Sequence, residues 1–138
     1  MPTFDELKFL TQRRLNAAEL LNDSGFHDIA YQDSGYIIEF GLKAAICKSY
    51  ETDQYPEEEK KFKTHHFDSL VYLAGLSEEL SIKKARDRAF MKNWSLTTKW
   101  SVHLRYKPIG DQENTSNSFL KAVKSEDGGV LPWIKSHW

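Results

Sequence analysis

The stretch YIIEFGLKAAIC, residues 36–47, decides the fold of this 138-residue chain. Glu39 and Lys43 are its only charged residues. A helix that is apolar nearly all round is buried on several sides, so the sequence predicts a central helix over about His27 to Tyr50. Glu39 and Lys43 stand four residues apart with the acid first, which is the favourable order for an ion pair on one helix face.

Further helical segments precede and follow this one. The first is predicted over about Thr3 to Leu21, where Thr3 and Glu6 match a capping box. Others are predicted at about residues 62–74, from Ser77 to a break near Asn93 or Ser95, across Leu96, Trp100, His103 and Leu104, and over about Ser118 to Lys124. No segment shows sustained strand alternation. The predicted fold class is therefore all-α, an antiparallel up-down bundle of about five helices forming a single domain over residues 1–138.

The composition excludes several classes of protein. Hydrophobic residues make up 40% and charged residues 28% of the chain, as in a globular domain rather than a disordered one. The single cysteine, Cys47, allows no intrachain disulfide and is expected to be a small core residue. No apolar run approaches the ~18 residues of a membrane helix, and the first ten residues lack the apolar core of a signal peptide. We therefore expect no membrane association and a cytoplasmic location.

Charge is distributed unevenly along the chain. The segment from Ser81 to Pro108 has eight Lys or Arg residues and one acid, Asp87, whereas the rest has eleven basic and nineteen acidic residues. Such a basic segment favours an anionic partner such as a nucleic acid, although it could instead pair with acidic helices of the same fold. The candidate anion-binding residues are Lys83, Lys84, Arg86, Arg88, Lys92, Lys99, Arg105 and Lys107. Trp94 and Trp100 could stack on bases, but their spacing of six residues predicts that at least one lies in the core.

Four stretches carry a resemblance to a known family: AAELL at residues 17–21, GYIIEFGLKAAI at 35–46, KTHHFDSLVYLAGL at 63–76 and NWSLTTKWSVHLRY at 93–106. In this order and spacing they resemble the HEPN family of helical bundles. The positions that match the family pattern are Glu39, Lys43, His65, Arg105 and Tyr106. The resemblance implies an up-down bundle that often dimerises and binds nucleotides or nucleic acid. It also implies a toxin–antitoxin or anti-phage setting, with a partner such as a nucleotidyltransferase-type antitoxin.

The chain departs from the family's RNA-cutting members, in which an arginine is followed four to six residues later by a histidine. No arginine in this sequence has that partner, so no imidazole stands beside an arginine to move the 2′-OH proton. The resemblance without this motif implies a non-catalytic module that binds nucleic acid, a nucleotide or a partner protein. We expect no cofactor and no metal site.

Two alternatives stay open. One is an active ribonuclease with a divergent site that uses His65, His66 or His103. His65 and His66 are adjacent and so point in different directions on a helix, which makes them a poor metal pair; His65 is expected instead to hydrogen-bond a neighbouring helix near Glu39. The other alternative is a pure protein-interaction subunit. The aromatic tail with Trp133 and Trp138 suggests this, since it must dock either onto the body or onto a partner.

Overall fold

The structure is a computed structural model that describes residues 1–106 and 112–138. The predicted all-α class is confirmed: the described residues contain α-helices and 3₁₀ turns and no strand, apart from an isolated antiparallel bridge between Thr3 and Gln54. The helices are α1 (Phe4–Asp23), α2 (His27–Ser49), α3 (Phe67–Leu73), α4 (Ser77–Arg86), α5 (Arg88–Thr97), α6 (Glu113–Lys124) and α7 (Val130–Lys135). Short 3₁₀ turns cover Lys60–Phe62 and Val102–Tyr106.

Helix α2 lies at the centre of the bundle, as its sequence predicts. Ile37, Ile38 and Leu42 are fully buried in its middle, and α2 contacts α1, α3, α6 and α7. The short turn through Gly25 makes α1 an antiparallel neighbour of α2. Among the described residues no helix, α2 included, is long and apolar enough to cross a membrane.

The stretch from Ser77 to Asn93 or Ser95, which is predicted as one helix, lies in two helices, α4 and α5. The break lies at Asp87 and not at Asn93 or Ser95, because the extended backbone of Asp87 ends α4 and its carboxylate accepts a hydrogen bond from the backbone N–H of Phe90 at 2.9 Å. This N-cap satisfies one of the free donors of the first turn of α5. Asp87 therefore separates two short helices that meet at a corner.

The helix predicted across Leu96, Trp100, His103 and Leu104 does not form as one unit. Helix α5 ends at Thr97, and a turn that contains Trp100 leads into the 3₁₀ turn Val102–Tyr106. The periodic apolar residues of this region still face the core. Trp100 is held there by its contacts with α2 and not by a continuous helix.

The C-terminal tail docks onto the body of its own chain. It forms α7, in which Trp133 and Ile134 are buried. The Nε1–H group of Trp138 donates a hydrogen bond to the carbonyl of Gly41 at 2.9 Å. A Cβ atom at Gly41 would come within 3.1 Å of Ile134, so the absence of a side chain at this position lets α7 pack closely on α2.

Candidate functional site

A pocket of about 520 Å³ lies between the segment that enters α3 and the segment that follows α5. It brings together the three histidines that the sequence suggests as alternative catalytic residues, His65, His66 and His103, and it adds Lys99 from the basic segment. Its other lining residues are Lys63, Thr64, Phe67, Asp68, Thr98, Trp100, Ser101 and Val102. We call this site the histidine pocket.

One histidine of the pocket is held by a buried carboxylate. Nδ1 of His65 lies 2.7 Å from Oε1 of Glu39, whose side chain is almost completely buried at 2% exposure. Since an ionised carboxylate only accepts hydrogen bonds, Nδ1 carries the proton and Nε2 of the neutral ring is left as an acceptor. The predicted proximity of His65 to Glu39 is confirmed.

The same carboxylate also binds Lys43. Nζ of Lys43 lies 3.2 Å from Oε2 of Glu39, one helical turn away on α2. The ion pair predicted from the spacing of these residues is thus confirmed, and Glu39 uses one oxygen for each partner. Two partners compensate a carboxylate that would otherwise be costly to bury.

The charge of the histidine pocket favours an anion. Lys63 and Lys99 are exposed cations in its lining, and Asp68 is the only carboxylate among the lining residues that the structure describes. The exposed His66 and His103 add ring N–H donors, whereas the Nδ1–H group of His65 is already used by Glu39. Phosphate oxygens fit this set of donors.

Helix α2 positions both walls of the pocket. Glu39 holds His65 on one wall. On the other wall, the Nε1–H group of Trp100 donates to the carbonyls of Tyr31 at 3.0 Å and Gln32 at 3.2 Å, earlier in the same helix. The two walls also meet directly, because the indole of Trp100 stacks on Phe67 with ring centroids 5.8 Å apart. Both walls of the pocket are therefore anchored to the buried helix α2.

The tryptophans of the basic segment belong to the core. Trp94 is 3% exposed and Trp100 is 7% exposed, and Trp94 packs on Phe90 and Trp133. The sequence predicts at least one of them in the core, and the structure buries both. Neither presents a free ring face on which a base could stack.

The candidate cations of the basic segment are divided between two sites. Lys99 lines the histidine pocket, whereas Lys83, Arg86 and Arg88 line a second pocket of about 620 Å³ at the corner between α4 and α5. Lys83 is paired there with Asp87 at 3.0 Å. Lys84 is half-buried on α4, Lys92 is exposed on α5, and Tyr106 is exposed at the end of its 3₁₀ turn. The side chain of Arg105 and the whole of Lys107 lie outside the described residues.

Several residues that line the histidine pocket beside the three histidines and Lys99 were not predicted from the sequence. Lys63, Asp68 and Ser101 line it without having been singled out. Lys63 and Asp68 flank the two adjacent histidines, which is a usable local signal. No local signal shows that residues 98–103 fold against residues 63–68, because the two segments are far apart in sequence and are brought together by tertiary contacts such as that of Trp100 with Phe67.

Cys47 has the role expected for it. Its thiol is 1% exposed, and burial, together with the negative charge of Asp53, raises the pKa of Cys47 to about 11. A protonated, inaccessible thiol is not a nucleophile. Within residues 1–106 and 112–138, no three His, Cys, Asp or Glu side chains gather in a group that could hold a metal ion.

The comparisons with known proteins suggest no function for this chain, so its function is inferred from the sequence, the fold and the histidine pocket. Neither a protein-family model, nor a curated protein, nor a solved structure matches this chain.

Proposed function

We propose that this chain is a HEPN-like module that binds RNA through the histidine pocket and does not cleave it. One observation carries the proposal: four side chains that can donate to an anion, Lys63, Lys99, His66 and His103, line a pocket in which Asp68 is the single carboxylate among the described lining residues. The sequence supports it as well, through the four stretches that resemble the family and the absence of the arginine–histidine motif.

Phosphate binding at this pocket follows from simple electrostatics. Lys63 and Lys99 act as point charges for the phosphodiester oxygens, and the ring N–H groups of His66 and His103 supply hydrogen bonds. Each phosphate that is neutralised releases condensed counterions, so affinity falls as salt rises, with a slope of about 0.7 per contact on a single strand.

The proposal is tested by fluorescence anisotropy with a labelled single-stranded RNA at low salt, followed by a gel of the same sample. Wild-type protein binds and the RNA stays at full length. Lys99→Ala weakens binding, whereas Lys48→Ala, which removes an exposed cation at the far end of α2, serves as the matched control. Absence of binding to any RNA at low salt contradicts the proposal.

A ribonuclease with a divergent site is the second candidate, and the contact between His65 and Glu39 favours it. A carboxylate on Nδ1 orients the ring and leaves Nε2 to accept a proton, as in other acid–base sites. His66 and His103, in the same pocket, are the candidates for the second proton-transfer group. If the wild type cleaves RNA and the variant His65→Ala, His66→Ala or His103→Ala loses this activity, the function is catalysis and not binding alone.

The resemblance also supports a cellular setting for the module. We place it in the cytoplasm as a homodimer, in a toxin–antitoxin or anti-phage system with a nucleotidyltransferase-type partner. Sedimentation of the purified chain tests the dimer. A pure protein-interaction subunit has less support, because the tail that suggested it is bound to its own body through Trp138 and Gly41.

A further inference from the structure

Helix α5 has a polar, basic ridge on its solvent side. Arg88, Lys92, Ser95 and Lys99 are exposed and spaced by four, three and four residues, which places them along one line of the helix and its C-terminal turn. The opposite side carries the buried residues Phe90, Trp94 and Thr97. The four exposed residues are called the α5 ridge.

The α5 ridge connects the histidine pocket with the pocket at the α4–α5 corner, whose lining holds Glu79 and Asp87 as well as Lys83, Arg86 and Arg88. Arg88, at its first end, lines the pocket at the α4–α5 corner together with Arg86. Lys99, at its other end, lines the histidine pocket. No carboxylate among the described residues lies within 4.0 Å of the cationic groups of Arg88, Lys92 or Lys99, whereas Lys83 is neutralised by Asp87. Within the part of the chain that the structure describes, the ridge therefore carries three cations that form no ion pair, between two concave sites.

We propose that the ligand of this protein is a single RNA strand of about four or more nucleotides, whose backbone runs from the histidine pocket along the α5 ridge. The inference rests on the proposed function and adds the class of RNA. Ten residues of α5 extend over roughly 15 Å. At an axial rise of ~3.4 Å per nucleotide of a stacked strand, this length spans about four nucleotides. One line of charge complements the backbone of one strand.

Recognition along this path is independent of base identity. The aromatic rings that line the histidine pocket, Phe67 and Trp100, are buried and stacked on each other. Base stacking is the usual source of affinity beyond the phosphates in single-strand binding, and no Phe, Tyr or Trp ring in the described lining of the pocket is free to provide it. The contacts that remain go to phosphates, which position a strand without reading its sequence.

The experiment compares labelled RNA dinucleotides, tetranucleotides and octanucleotides by fluorescence anisotropy over a range of salt concentrations. Affinity increases from the dinucleotide to the tetranucleotide and changes little beyond it. Lys92→Ala weakens tetranucleotide binding severalfold and lowers its salt slope by about 0.7, but it leaves dinucleotide binding in the pocket unchanged. Lys99→Ala weakens both ligands, and the control Lys48→Ala weakens neither. Lys92 points away from the core, so its variant keeps the fold, as circular dichroism will verify.

The possible results separate the inference from the proposed function. Tetranucleotide binding that is insensitive to Lys92→Ala overturns the path along α5 and leaves RNA binding in the histidine pocket intact. A preference of about tenfold or more among homopolymeric tetranucleotides overturns backbone recognition in the same way. Wild-type protein that binds no RNA of any length removes the proposed function, and the inference with it.

Discussion

The indole of Trp100 occupies the space that a side chain at Gly35 would need. A Cβ atom built at Gly35 overlaps three atoms of the six-membered ring. This close approach lets the indole N–H reach the carbonyls of Tyr31 and Gln32 in the preceding turn of α2. The wall of the histidine pocket that carries Lys99 and His103 is therefore attached to the central helix at a position without a side chain.

We expect Gly35→Ala to destabilise the protein, although alanine favours a helix over glycine by up to about 1 kcal/mol. The overlap with Trp100 displaces the indole or the backbone, and overpacking of a core costs about 1–3 kcal/mol. Urea denaturation measures the change. Gly41→Ala, where the nearest atom would be 3.1 Å away at the end of Ile134, serves as the graded control and costs less. If Gly35→Ala is as stable as the wild type or more stable, the indole of Trp100 does not pack tightly against position 35.

The carboxylate of Glu39 is predicted to stabilise the fold through both of its partners. Glu39→Gln keeps the shape but places an amide against Lys43, which is only 13% exposed, so the unfolding free energy falls by about 1–3 kcal/mol. The double variant Glu39→Gln/Lys43→Met removes the unpaired charge and recovers part of this loss, because an apolar stem at position 43 still packs near Tyr55. A double variant that is no more stable than the single one contradicts this explanation.

The substitution Glu39→Gln also tests whether Glu39 determines which nitrogen of His65 carries the proton. In the wild type the carboxylate holds the proton on Nδ1 of His65. Glutamine at position 39 can present either its oxygen or its amide to the ring, which weakens the preference for one tautomer. Imidazole nitrogen NMR shifts report the change. Unchanged shifts for His65 in Glu39→Gln would show that Glu39 does not set the tautomer.

The sequence predicts those parts of the site that depend on local spacing. The ion pair between Glu39 and Lys43 follows from helical periodicity, and the buried position of α2 follows from its lack of charge. The end of α5 does not follow, because Leu96 and Trp100 continue the helical pattern beyond Thr97. What stops the helix is the tertiary contact of Trp100 with Tyr31, which is 69 residues away in sequence. The histidine pocket depends on that contact.

The C-terminal helix is predicted to be part of the folding unit. Deletion of residues 129–138 removes the buried side chains of Val130, Leu131, Trp133 and Ile134. Each such side chain stabilises by about 1.5–3 kcal/mol, so the truncated chain unfolds and does not merely change its oligomeric state. Trp138→Phe keeps an aromatic ring and all of α7 but loses the hydrogen bond to Gly41, about 1 kcal/mol. Thermal denaturation compares the two, and a folded truncated chain would contradict the assignment of α7 to the core.

Stability is expected to fall at alkaline pH because of two buried acids in and beside α2. Burial raises the pKa of the Cys47 thiol to about 11, and burial, followed by the charge of Glu39, raises the pKa of the Tyr55 phenol as well. The hydroxyl of Tyr55 donates to the carbonyl of Phe62 at 2.8 Å, which further favours its protonated form in the native state.

The sign of the effect follows from proton binding in the two states. An unfolded cysteine loses its proton near pH 8.5, whereas the folded thiol keeps it up to about pH 11. Between these values the native state binds the additional proton, so the unfolding free energy decreases as the pH rises. Below about pH 8 the thiol has no effect on the slope. Urea denaturation across this range measures the decrease, and Cys47→Ala, which has no thiol to ionise, should show a shallower one. Identical slopes for the wild type and Cys47→Ala would place the titrating group elsewhere, with Tyr55→Phe as the next variant to compare.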